Sequence, residues 1–222
     1  MSAATRSTRG RRVPRRFLVG AVAGSVAAGA LALAAAPAQA AGGPTITVLY
    51  DAVGSSTVRS TGSVVPLGPT TLTTVVSGDG TFTGSLPLPP QRTSFKALGL
   101  LPVTATVTFE PAGGKRQVTG TLLPGKVRSK ARYYLRLSDV TVAGLPAFVG
   151  DSCRTVDPVV IPATTPKGQT FDLTNGGTLT GTYTIGQFAT CGLQTPIINA
   201  LIPGAGNTET ITLTNGRVVS PQ

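Results

Sequence analysis

The chain of 222 residues has no histidine, no tryptophan and two cysteines, which excludes hydrolase triads that need an imidazole base and a zinc site built from cysteine and histidine. Its formal charge of +11 invites a nucleic-acid reading, but six of its 19 basic residues fall within the first forty positions, where no acid stands. The remainder carries 13 basic and 8 acidic side chains, a moderate +5, and nucleic acid is not expected as a partner.

Met1 to Arg16 holds those six arginines, an Ala/Gly/Leu-rich apolar stretch runs from Phe17 to about Ala36, and Ala38-Gln39-Ala40 offers the small residues that signal peptidase requires. This order is that of a secretory signal peptide over residues 1–40, with cleavage between Ala40 and Ala41. The apolar run is long enough to span a bilayer. Pro37 before the cleavage site, and a core made of weakly apolar Ala and Gly, favour removal over retention as an anchor. No cysteine borders the site, which excludes a lipoprotein anchor. Arg15-Arg16-Phe17-Leu18 and Arg11-Arg12-Val13 match a twin-arginine signal imperfectly, so the general secretory route is favoured. The expected location is extracellular or on the cell-envelope surface.

After the leader, apolar residues alternate with threonine, the period of a half-buried strand. Ile46, Val48 and Tyr50 share the first apolar face. Gly78-Asp79-Gly80 separates a strand over Thr70 to Val76 from one over Thr81 to Leu88. Val103, Ala105, Val107 and Phe109 then oppose Thr104, Thr106 and Thr108; Gly113-Gly114 leads to a strand from Gln117 to Leu123, and Pro124-Gly125 to one from Lys126 to Leu137. Asn175-Gly176-Gly177 precedes Thr178 to Ile185, and Ile211 and Leu213 alternate with Thr210, Thr212 and Thr214. These turn residues sit where hairpins need them. One short helix is expected near Thr195 to Leu201, its Ile197, Ile198, Leu201 and Ile202 capping the open end of a sheet and Pro203-Gly204 stopping it. The fold class is therefore all-β: a sandwich or barrel-like antiparallel domain over 41–222, with roughly nine to twelve strands. Gly80 to Leu86 echoes Gly177 to Tyr183. Two hairpins drawn from one residue alphabet explain the echo more simply than a duplication, whose half-domain boundary would fall near 137–151.

Cys153 and Cys191 fit one disulfide in an oxidising compartment. Several segments then stand together: Gly176 to Ile185, Phe188, Cys191-Gly192-Leu193, Thr195-Pro196, Asn199, Leu201 to Gly204 and Gly206-Asn207-Thr208, with Thr93 to Gly99, Pro102 to Ala105, Ala143 to Pro146 and Cys153 to Thr155. With them the chain resembles secreted proteins of high-GC Gram-positive bacteria (Actinobacteria) that have no established activity. The resemblance covers most of residues 90–210. It implies an exported envelope or extracellular protein with paired cysteines, and it transfers no functional residue.

Catalytic readings find little support. Gly150-Asp151-Ser152-Cys153 superficially resembles the nucleophile block of secreted esterases, but the later Asp-x-x-His pair is missing, and an Asp/Ser turn is the simpler reading. Ser129 and Lys130 point to opposite faces of a strand, which argues against a Ser-Lys dyad, and Ser94 with Lys96 supplies only the residue types. A carboxylate pair among Asp51, Glu110, Asp139, Asp151, Asp157, Asp172 and Glu209 lacks the tryptophan platform usual in sugar clefts. A histidine-independent hydrolase is thus the remotest class, and neither metal nor cofactor is expected.

Two binding features remain. Lys126 to Leu137, read as a strand, lines up Lys126, Arg128, Lys130, Arg132, Tyr134 and Arg136 on one face, with Lys115 and Arg116 nearby. Such a face is solvated or meets an anion. An anionic cell-wall polymer or membrane surface is the binding reading; a basic edge strand that blocks aggregation is the structural one. Ala97 to Val103 and Ile197 to Pro203 are strongly apolar connections, which either pack into the core or line a barrel mouth able to hold a lipid tail. The leading expectation is a non-enzymatic secreted β domain with a binding or structural role, and lipid binding is the alternative.

Overall fold

The structure is a computed structural model that describes residues 44–219; the leader and its Ala40–Ala41 cleavage point lie outside the described residues. Its strands are β1 (Thr45–Val58), β2 (Ser63–Ser77), β3 (Thr81–Ser85), β4 (Gln91–Ala97), β5 (Leu101–Pro111), β6 (Val118–Leu123) and β7 (Lys126–Val142). After them come β8 (Leu145–Pro146), β9 (Arg154–Thr155), β10 (Val159–Thr164), β11 (Gly177–Ile185), β12 (Phe188–Ala189) and β13 (Gly204–Val219), with one helix, α1 (Thr195–Leu201), before the last. Three of the thirteen strands are two residues long, too short for a periodicity to reveal. The helix spans the residues predicted for it.

Thirteen antiparallel strands form one sheet, and its pairings close into a ring. β1 lies between β2 and β13, β13 also pairs β11, β11 pairs β10, β10 pairs the first half of β7, and β7 returns through β6 and β3 to β2. The seam between β10 and β11 has a single ladder pair, Thr164 with Thr180. Gly181 permits it, because a Cβ there would collide with the Pro162 carbonyl oxygen. These eight strands make a closed storey filled by Val48, Leu72, Phe82, Val127, Phe171, Leu179 and Leu213. Closure leaves no edge to aggregate. The loop after β10 plugs the storey's far end: the Phe171 ring meets Tyr50 edge-on at 5.8 Å, and the Tyr50 hydroxyl donates to the Leu173 carbonyl at 2.8 Å.

The long strands β1, β2, β7, β11 and β13 continue past that ring into a second, open storey. There the far half of β7 pairs β5 from Val142 with Val103 to Tyr133 with Pro111, β5 pairs β4, and β9 with β12 fills the other side of β7. β4 meets the start of β2 through side chains, the Thr93 hydroxyl donating to the Val64 carbonyl at 3.2 Å. At the junction of the storeys the buried Tyr133 hydroxyl donates to the Leu86 carbonyl at 2.6 Å, and its ring meets Phe109 edge-on at 5.8 Å.

Some strand bounds and the place of β7 differ from expectation: β3 ends at Ser85, not Leu88. β2 begins at Ser63, not Thr70, because a bulge opposite Ala52 to Gly54 carries the extended chain through Pro66 and Gly68-Pro69. β7 is not an edge strand: β6 and β5 pair one of its sides, β10 and β9 the other. It also runs unbroken to Val142, and the described residues 44–219 form one compact unit.

Candidate functional site

The end of the open storey is built around α1. Pro196 sits in the first turn, where its missing N–H costs nothing. Asn199 clips the helix to β12: its Oδ1 accepts from the Phe188 N–H at 2.7 Å and its Nδ2 donates to the Phe188 carbonyl at 2.9 Å. The Ser60 hydroxyl, in the β1–β2 turn, donates to the Ile202 carbonyl at 2.8 Å. Cys153 and Cys191 form a disulfide across 38 residues, both fully buried, and Cys191 stands just before the 3₁₀ turn Gly192–Gln194 that leads into the helix. Closing that loop stabilises the fold by about 4 kcal/mol in the chain-entropy view.

Held on those sides, α1 roofs a cavity of about 700 Å³. Its opposite walls are β4, β5 and the end of β7, represented by Ala97, Val103 and Val142, while the roof supplies Ile197, Ile198 and Leu201. Of twenty lining residues only Gln194 has a polar side chain. Two pockets in the apolar interior elsewhere measure about 50 and 40 Å³, and a more open groove of about 480 Å³ beside the β10–β11 seam is lined mainly by threonines, so this space combines a ligand-sized volume with an apolar lining. Its size and lining are those of small-molecule sites.

The two apolar connections singled out in the sequence, 97–103 and 197–203, therefore face each other across one cavity. A third wall escaped the sequence reading: Val140, Ala143, Leu145, Pro146, Ala147 and Val149, in the stretch 137–151 where the half-domain boundary of a duplication would fall. Its apolar composition was the available signal.

The basic face of β7 alternates as expected. Lys126, Arg128, Lys130 and Arg132 are exposed, while Val127, Tyr133, Leu135 and Leu137 are buried. Thr119 and Thr121 of β6 and Val160, Pro162 and Thr164 of β10 flank the stripe. Its far end is committed internally: Glu110 accepts from Arg136 at 2.8 Å and from Arg154 at 3.4 Å, and the Arg154 guanidinium lies 4.7 Å over the Tyr134 ring. Lys126 donates to the Gln169 carbonyl at 2.9 Å. Among the described residues no carboxylate lies within ion-pair distance of Arg128, Lys130 or Arg132.

The carboxylates do not gather into a pair. Asp51 is held by Arg217 and Asn215, which lower its pKa to about 2. Asp172 caps its own turn through Thr174 and Asn175, and those hydrogen bonds lower its pKa as well. Glu209 alone points into the barrel. It is buried, its Oε1 has no hydrogen-bond partner, and desolvation raises its pKa to about 7. Gly150-Asp151-Ser152 forms the turn before Cys153. The chain matches no family model, no curated protein and no solved structure, so its functional reading rests on this geometry.

Proposed function

We propose that the chain is an exported binding protein that holds an apolar ligand, such as an acyl chain, in the cavity beneath α1. The carrying observation is a space of about 700 Å³ whose lining has one polar side chain, Gln194. Burying hydrocarbon there is driven by apolar area removed from water at about 25 cal/mol per Å², and Gln194 offers the polar end of a ligand a hydrogen bond. Export rests on the arginine-rich apolar leader and on the disulfide, which persists in an oxidising compartment. A binding role also accords with carboxylates that do not gather into a pair and with a chain that has no histidine.

The test is titration of the exported chain with a fluorescent fatty acid. Ala97 and Ala147 are buried cavity-lining residues, so the double variant Ala97→Phe, Ala147→Phe fills the space. Affinity is expected to fall at least about tenfold with the fold retained by circular dichroism. Equal affinity in the filled variant would sink the reading. Native mass spectrometry of protein from its own host should further show a hydrocarbon adduct.

A second reading concerns the β7 stripe, favoured by the unpaired Arg128, Lys130 and Arg132. It would hold the exported protein to an anionic wall polymer or membrane. Binding to purified envelopes should then weaken with salt and with Gln at Lys126, Arg128, Lys130 and Arg132.

A further inference from the structure

The five most exposed large apolar side chains of the described residues are Leu193 (94%), Phe148 (87%), Leu98 (83%), Leu100 (82%) and Leu145 (72%). All five sit at the end of the molecule that frames the cavity: Leu98 and Leu100 in the β4–β5 turn, Leu145 in β8, Phe148 just after it and Leu193 in the 3₁₀ turn before α1. Ile197 of α1 adds a sixth at 56%. Leu98 and Phe148 are held at φ of 52° and 34°, a region uncommon for bulky residues. Elsewhere among the described residues the exposed large apolar side chains are mostly valines, none above 57%. A soluble barrel has no stability reason to project leucine and phenylalanine from separate loop tips, and contiguous exposed apolar surface marks an interaction site.

We infer that this rim docks into a lipid surface, so that the cavity opens toward hydrocarbon. The inference deepens the cavity reading by naming where the ligand is taken up. Charge decides between lipid and an anionic polymer. The tips Leu98 to Leu100, Ala143 to Phe148 and Gly192 to Ile197 contain no charged residue, so they match hydrocarbon rather than a polyanion. Lys96 stands two residues before Leu98, and Arg59 lies in the turn that holds the end of α1. Both are exposed, at the depth where cationic side chains meet headgroups while their stems stay apolar. Asp151, three residues after Phe148, is the nearest carboxylate in sequence.

The test uses the full exported chain with vesicles of phosphatidylcholine, alone or mixed with phosphatidylglycerol. The wild type is expected to co-float with both, little affected by raised salt, and the variant Leu98→Ser, Leu100→Ser, Phe148→Ser to float at least about tenfold less. Because the chain has no tryptophan, Phe148→Trp installs a single reporter, whose indole emission should shift to the blue on adding vesicles and be quenched by brominated acyl chains. Absence of both flotation and shift overturns docking. Flotation only with phosphatidylglycerol, lost when Arg128, Lys130 and Arg132 become Gln, overturns it in favour of the β7 stripe. A concentration-dependent dimer that the rim substitutions dissociate, without flotation, overturns it in favour of a second copy. The fatty-acid titration separates the two readings. Uptake without flotation removes docking and leaves the cavity; flotation without uptake leaves docking and removes the cavity.

Discussion

The two storeys of the barrel share five strands and one residue alphabet, yet one is filled and the other ends in a hollow. In the closed storey every strand finds a partner on both sides, and inward Val, Leu and Phe leave a void of about 40 Å³. In the open storey β4 meets β2 only through side chains, and a seven-residue helix replaces the missing strands as a roof over about 700 Å³. The difference teaches that strand alternation supplies an apolar face without saying what will cover it. Covering is a matter of closure, and only one storey closes.

Removing the disulfide is the strongest way to break this comparison. Cys153→Ser, Cys191→Ser is expected to cost about 4 kcal/mol in denaturant unfolding. Amide exchange should then speed up first around α1 and β12, while the closed storey keeps its protection. Uniform loss of protection would show that the storeys do not differ in this way.

Glu209, paired in register with Ser56 and Gly181, titrates the region between them. Its carboxyl has a raised folded pKa of about 7 against an ordinary 4.5, through desolvation, so between those values the folded chain binds the proton that the unfolded chain has lost. Stability should therefore be highest near pH 4.5 and below, as far as this group is concerned, fall as pH rises to about 7, and level off above, by on the order of 3 kcal/mol. Glu209→Gln should abolish that slope in thermal scans across the window. A slope that survives the substitution belongs to another group.

A matched pair of truncations sharpens the comparison at smaller scale. Leu179→Ala opens a cavity in the filled storey and should cost about 3 kcal/mol, whereas Leu201→Ala enlarges an existing space and should cost below about 1 kcal/mol. Equal costs would mean that the open end is packed in solution.

Much of this was legible in the chain. The turn signals at Gly78 to Gly80 and Gly113-Gly114, the helix at Thr195 to Leu201 and the alternation along Lys126 to Leu137 all stand where local chemistry puts them. The placement of β7 was not legible, since one solvated face gives the same alternation in an edge strand and in a barrel wall. Commitment of Arg136 and Tyr134 to Glu110 and Arg154 was hidden too, because the partners come from β5 and β9, 26 and 20 residues away from Arg136 and Tyr134 respectively. For the site, the composition of 97–103 and 197–203 marked both walls without revealing that they leave a gap.

By itself the amino-acid sequence determined the all-β class, the apolar and polar faces, the one helix and the pair of cysteines, because period, turn chemistry and composition act over a few residues. Only the tertiary structure decided that the sheet closes into a barrel, that β7 serves both storeys, and that α1 roofs a hollow. Those outcomes depend on which distant strands meet, and whether facing apolar walls touch or stand apart is set by the width of the sheet between them.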